Sequence, residues 1–204
     1  MSLSSSSSQS PLSALKRFQR KPPEGERCEL CSLGLAEQHQ HLIDPANRRL
    51  VCACDACAIL FDDPRQNRFR RVPRRITILK DFQMSDEQWE ALHLPINLAF
   101  FYRSSPANRV IAMFPSPAGA TESLLTLEHW SDLVKANPVL GELESDVEAL
   151  LVNRIGTQRQ YIRVPIDECF KLVGIIRTHW RGLSGGVEVW KELALFRQSL
   201  ERRA

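Results

Sequence analysis

Cys28-Glu29-Leu30-Cys31 and Cys52-Ala53-Cys54-Asp55-Ala56-Cys57 hold five of the six cysteines of this chain within a span of thirty residues. Two Cys-x-x-Cys knuckles in one short stretch are a metal-site spacing. Each tight turn presents two sulfurs to one ion, and two facing turns complete a tetrahedron of soft donors, the coordination that Zn²⁺ takes in structural sites. Cys28, Cys31, Cys54 and Cys57 are therefore the expected ligands. Between the knuckles, Gln40-His41-Leu42-Ile43 and Arg49-Leu50-Val51-Cys52 are short strand-like runs around Asp44-Pro45-Ala46-Asn47. Asp and Asn favour turns through their own side-chain bonds, and Pro presets φ. Residues 27–62 thus read as knuckle, hairpin, knuckle: a zinc-ribbon-like module too small to bury a core without an ion.

Cys52, His39 and His41 add three further donors. Strand side chains alternate, so Cys52 would share a face with Cys54, and His39 with His41. A turn centred on Pro45-Ala46 sets His39 about opposite Cys52 and crowds seven donors around one site. Three outcomes follow. Cys52 and the histidines are packing residues, or one of them replaces a thiolate, or they form a second, labile or redox-active site. A sulfur-rich set accepts iron as well as zinc. Disulfides are the weaker reading, because no secretory signal precedes the knuckles.

Composition bounds the remainder. The chain has 204 residues, 43% of them hydrophobic and 25% charged, which describes a globular protein with room for one domain and a small module. A net charge of +3 lacks the strong field of a dedicated nucleic-acid binder. Residues 1–26 are rich in Ser and Pro with no apolar core, so they read as a disordered tail and not an export signal. No run reaches the ~20 apolar residues that span a bilayer. A cytoplasmic location is expected.

Residues 68–204 read as an α+β domain of mixed strands and helices. Arg68 to Leu79 is an extended basic segment interrupted by Pro73. Ser85 caps a short helix, with Gln88 in capping-box register. Leu98–Arg103 and Arg109–Phe114 form a hairpin, and Pro115 to Thr121 reads as a loop leading to a helix near Thr126. Strands are expected at Val147–Arg154 and Tyr161–Val164. Two helices end the chain, about Ile166–Trp180 and Val187–Arg202, each with an apolar stripe at helical spacing.

Chemistry outside the cysteines is sparse. Cys169 and His179 suggest a nucleophile and base, yet ten helical residues separate them by about 15 Å, so no catalytic residue is assigned. Asp167 and Glu168 fit a helix first turn. Gly185 and Gly186, with Ser184, Arg177 and Arg181 nearby, either make a tight helix–helix turn or offer an anion- or partner-binding loop. No Gly-x-x-x-x-Gly-Lys-Ser/Thr stretch supports nucleotide hydrolysis. The arginines at 65, 68, 70, 71, 74 and 75 could follow phosphates. However, seven carboxylates between Glu122 and Glu148 offer them internal partners, and no aromatic residue alternates with them as a base-stacking platform requires. Nucleic acid is the lesser partner expectation.

Several motifs occur together: Cys-Glu-Leu-Cys at 28–31, His-x-His-Leu at 39–42, Arg-Arg-Leu-Val-Cys-Ala-Cys-x-x-Cys-Ala at 48–58, Pro-Ser-Pro-Ala-Gly-Ala-Thr-Glu-Ser at 115–123 and Trp-Arg-Gly-Leu-Ser-Gly-Gly-x-Glu-Val-Trp at 180–190. This combination resembles an uncharacterised bacterial family encoded beside nickel–iron uptake hydrogenases and their maturation factors. The resemblance runs from Arg27 to Arg203 and carries over no catalytic residue. It implies a setting of hydrogenase assembly or function. Taken with the cysteine spacing, the expectation is a non-enzymatic accessory protein with a structural zinc, whose partner is a hydrogenase subunit or maturation factor. Rubredoxin-like iron chemistry and zinc-ribbon nucleic-acid binding are the alternatives.

Overall fold

The computed structural model describes residues 25–62, 68–123, 130–182 and 185–204. The tail before residue 25, Arg65, Thr126 and Ser184 lie outside them. Two antiparallel sheets and a set of helices make up the described part, a mixed α+β fold that ends in helices.

The smaller sheet has the order β2-β1-β3, with β1 Gln40–Asp44, β2 Arg49–Ala53 and β3 Arg70–Arg71. Its hairpin pairs Asp44 with Arg49 and His41 with Cys52. That register differs from the one expected from a turn at Pro45-Ala46, because Pro45 to Arg48 form a four-residue loop. The Ala46 N–H donates to Asp44 Oδ1 at 3.1 Å, and the Arg49 N–H donates to Asn47 Oδ1 at 3.0 Å. These two side-chain bonds move the centre of the turn by one residue, so His41 and not His39 faces Cys52.

The larger sheet has the order β4-β9-β8-β5-β6-β7. Its strands are β4 Thr77–Ile78, β5 Leu98–Ser104, β6 Arg109–Ser116, β7 Gly119–Glu122, β8 Glu148–Asn153 and β9 Gln160–Pro165. The central strands are buried on both faces, so they read as continuous apolar runs. In β5, Phe100 points into one cluster with Ile111, Ile162, Leu172, Ile176 and Phe196, while Phe101 points into the other with Trp89, Leu133 and Leu150. Alternation thus divides one strand between two cores.

Helices cover both faces. The C-terminal pair, α4 Ile166–His179 and α5 Gly186–Arg203, supplies the first cluster. Short helices α2 Asp86–Glu90 and α3 Trp130–Ala136 supply the second. The basic segment splits at Pro73: β3 pairs with β1, and β4 pairs with β9, so one stretch stitches the two sheets together. The Pro/Gly-rich stretch is not the expected loop. Pro115 lies within β6 opposite Ala120, and only Pro117-Ala118 turn before β7. The Ser116 hydroxyl donates to the Gly119 carbonyl at 3.0 Å across that turn.

Candidate metal centre

The first knuckle folds as a tight turn. The Cys28 N–H donates to the Leu33 carbonyl and the Ser32 N–H to the Cys28 carbonyl, both at 2.8 Å. Ser32 takes a left-handed φ of 64° to close it. The Glu29 N–H reaches the Cys52 carbonyl at 2.9 Å, which ties the knuckle to β2. The second knuckle is built differently. β2 ends at Ala53, and Cys54 is the N-cap of helix α1 Asp55–Leu60, its sulfur accepting the Cys57 N–H at 3.5 Å. The change from strand to helix removes Cys54 from the face that Cys52 occupies.

One sulfur each from Cys28, Cys31, Cys54 and Cys57 lies within 4.8 Å of the others. Cys31 Sγ and Cys54 Sγ are 3.7 Å apart. A tetrahedral zinc site with Zn–S bonds of about 2.3 Å has sulfur–sulfur edges of about 3.8 Å. All four cysteines are free thiols, with Cys28, Cys54 and Cys57 buried and Cys31 exposed. Ala53, Val51, Leu42 and Ala58 pack around them as a small core. The donor set therefore fits one soft or borderline ion such as Zn²⁺.

Electrostatics agree with the geometry. Burial opposes ionisation of Cys28, but the backbone N–H groups of Cys54, Leu30 and Cys31 outweigh it and hold the thiol at about 6. Burial and the neighbouring sulfurs push Cys57 up. One thiolate is welcome in this cage, and a second beside it is not. A divalent cation resolves that conflict, since all four ligands can then ionise together.

His39, His41 and Cys52 form a separate group whose donor atoms also lie within 4.8 Å of one another. The seven donors are thus divided between the two faces of the β1–β2 hairpin. Gln40, Leu42, Val51 and Ala53 point one way; His41, Ile43 and Cys52 point the other, toward the larger domain. Ile43 joins the cluster under α4, and His41 Nδ1 meets Asp167 Oδ2 of α4 at 2.7 Å. A groove of about 1120 Å³ runs along this junction, lined by His39, His41, Arg74, Asp167, Lys171 and Arg202 among others.

The chain belongs to DUF5947, a family of unknown function. The family model matches residues 27–204. No curated protein and no solved structure matches the chain.

The remaining candidates are placed as follows. Arg177 lies near the end of α4. The Arg181 N–H donates to the Gly185 carbonyl at 2.9 Å, and its guanidinium donates to the Trp180 carbonyl at 2.9 Å. Gly185 caps α5 in a left-handed conformation, φ 87°. The Arg181–Gly185 bond brings the end of α4 close to the start of α5. Cys169 is fully buried on α4, and burial drives its thiol well up. Arg70 pairs with Glu144 and Asp146, and Arg75 pairs with Glu148, so part of the basic segment is matched to the acidic one. Two ion-pair partners were not visible in the spacing: Asp167, which lies 126 residues from His41, and Glu148, which is wholly buried against Arg163. No helix among the described residues is long and apolar enough to cross a membrane.

Proposed function

We propose that this protein is a non-enzymatic metal-binding accessory protein. Its cysteine module is a zinc-ribbon-like unit holding one structural Zn²⁺ through Cys28, Cys31, Cys54 and Cys57, and its α+β body docks on a protein partner. The observation that carries the reading is the 3.7 Å sulfur edge inside a disulfide-free group of four cysteines, three of them buried. Zinc with four thiolates has no open position for substrate, so this site organises structure and is not a reaction centre. A small module of this kind takes much of its folding free energy from the ion, roughly 10–16 kcal/mol of apparent binding in peptide systems. The resemblance to proteins encoded beside nickel–iron hydrogenases supports a hydrogenase subunit or maturation factor as the partner, and a cytoplasmic setting.

Metal analysis of untagged protein, purified without oxygen, tests the ion. One tightly held zinc per chain that is lost in Cys54→Ser supports the reading. Capture of a hydrogenase component from the native cell by wild-type protein, and not by Cys54→Ser, supports the docking role; equal capture by both contradicts it. A second reading rests on the all-sulfur donor set, which also suits a rubredoxin-like iron that passes electrons. Colour separates them, because Zn²⁺ is d¹⁰ and colourless whereas ferric tetrathiolate is red.

A further inference from the structure

We infer that His39, His41 and Cys52 form a second metal site, distinct from the four-cysteine centre, that takes an exchangeable divalent first-row transition ion. Three features of the structure lead there. Both histidines have the Nδ1 edge already engaged. His39 Nδ1 lies 3.0 Å from the Ala36 carbonyl and 3.5 Å from Glu26 Oε2, two acceptors that place the ring proton on Nδ1. His41 Nδ1 lies 2.7 Å from Asp167 Oδ2, and the other oxygen of Asp167 accepts the Glu168 N–H at 2.9 Å, which fixes the carboxylate. Each ring therefore keeps a lone pair on Nε2. A carboxylate or carbonyl on Nδ1 and a free Nε2 is the arrangement that outer-shell groups impose on metal-binding histidines.

His39 supplies the second feature. Its side chain is only 7% exposed, and its Nε2 is buried with no hydrogen-bond partner among the described residues. A sealed polar nitrogen without a partner is costly. An ion removes that cost. The third feature is position: His39 immediately precedes β1, His41 lies on it, and Cys52 is the direct cross-strand neighbour of His41. The rings sit edge to face with centroids 4.8 Å apart, and one donor atom of each residue lies within 4.8 Å of the others.

Two imidazoles and one thiolate are borderline donors, suited to Zn²⁺, Co²⁺, Ni²⁺ or Cu²⁺ and not to Mg²⁺ or Ca²⁺. Binding releases the Cys52 thiol proton to solvent. Three protein ligands leave a tetrahedral ion one position short. Both histidines line the groove between the cysteine module and α4, which gives a water or a small donor ligand a route to that fourth position. The ion here exchanges, whereas the four-thiolate ion does not.

The test is a Co²⁺ titration of the full chain already carrying its resident metal, read by the sulfur-to-cobalt charge-transfer band and by metal content after dialysis. Wild-type protein should take up one further equivalent, and a mild chelator should remove that equivalent and leave the first. His41→Ala and Cys52→Ser should abolish the second equivalent and keep the first, which also shows that the module remains folded. Asp167→Asn should weaken the second equivalent by about 10–100-fold. No further uptake by wild-type protein, or a second equivalent unchanged in His41→Ala and Cys52→Ser, overturns the proposal. Loss of the first equivalent from wild-type protein would instead contradict the four-cysteine reading, so the two failures are distinguishable.

Discussion

Glu148 carries the sharpest electrostatic consequence at the scale of single residues. It is fully buried in β8, and it accepts hydrogen bonds from Arg163 Nε at 2.9 Å, from Arg75 at 3.0 Å and from the Glu144 N–H at 2.9 Å. Burial works against its charge, but Arg163, the Glu144 amide and Arg75 prevail and hold the carboxyl below its ordinary value near 4.5. A folded-state value below the unfolded one means that the stabilisation is present above about pH 4.5 and is lost as the pH falls through the folded value. Glu148→Gln should therefore be less stable than wild type at neutral pH, yet lose less stability on acidification below about pH 4, as denaturant unfolding at both pH values would record. Arg163→Ala, which leaves the buried carboxylate to Arg75 and the Glu144 amide, should cost about 3–5 kcal/mol at neutral pH. The sequence offered the basic segment internal partners among seven acids, but it singled out neither Glu148 nor its pairing with Arg163. Pairing of that kind depends on β8 and β9 lying side by side, and no local pattern encodes it.

At the scale of elements, caps and turns decide where the pieces end. Ser85 accepts the Gln88 N–H at 3.1 Å, and Gln88 accepts the Ser85 N–H at 2.9 Å, the reciprocal box that the sequence announced. Ser85→Ala should cost about 1 kcal/mol, a fall in Tm of about 2–4 °C for a chain of this size. Gly185 is a stricter case. At φ 87°, a Cβ there would lie 2.9 Å from Val189 Cγ1 and 3.2 Å from the Trp180 ring. Gly185→Ala should destabilise the α4–α5 corner by about 1–3 kcal/mol, seen as a lower Tm with the metal content unchanged. Strands β5, β6, β8 and β9 and both final helices were legible because their apolar periodicity is long. The β6–β7 turn was not, since Pro and Gly density suggested a loop where only two residues turn. The division of the metal donors was not legible either. It depends on the chain leaving strand for helix between Ala53 and Cys54, and on side-chain bonds from Asp44 and Asn47 that reset the hairpin register.

Across the whole molecule, the stabilising forces are unevenly distributed. The six-stranded sheet has apolar clusters on both faces, whereas the cysteine module has a small core of which three members are cysteines. Removing the ion should therefore unfold the module and leave the body standing. Strong chelation is expected to abolish amide-exchange protection in β1, β2 and α1 while protection in β5 and β8 persists. A single transition that takes both sheets together would show that the β3–β4 stitch couples them more tightly than their separate cores suggest.

The central claim is that four sulfurs, from a turn and from a helix N-terminus, share one ion. X-ray absorption at the zinc edge, on protein loaded with a single equivalent, reads that coordination directly. One shell of four sulfurs at about 2.3 Å is expected. A first shell containing nitrogen or oxygen donors, or protein that retains no metal while keeping a folded module, would contradict it.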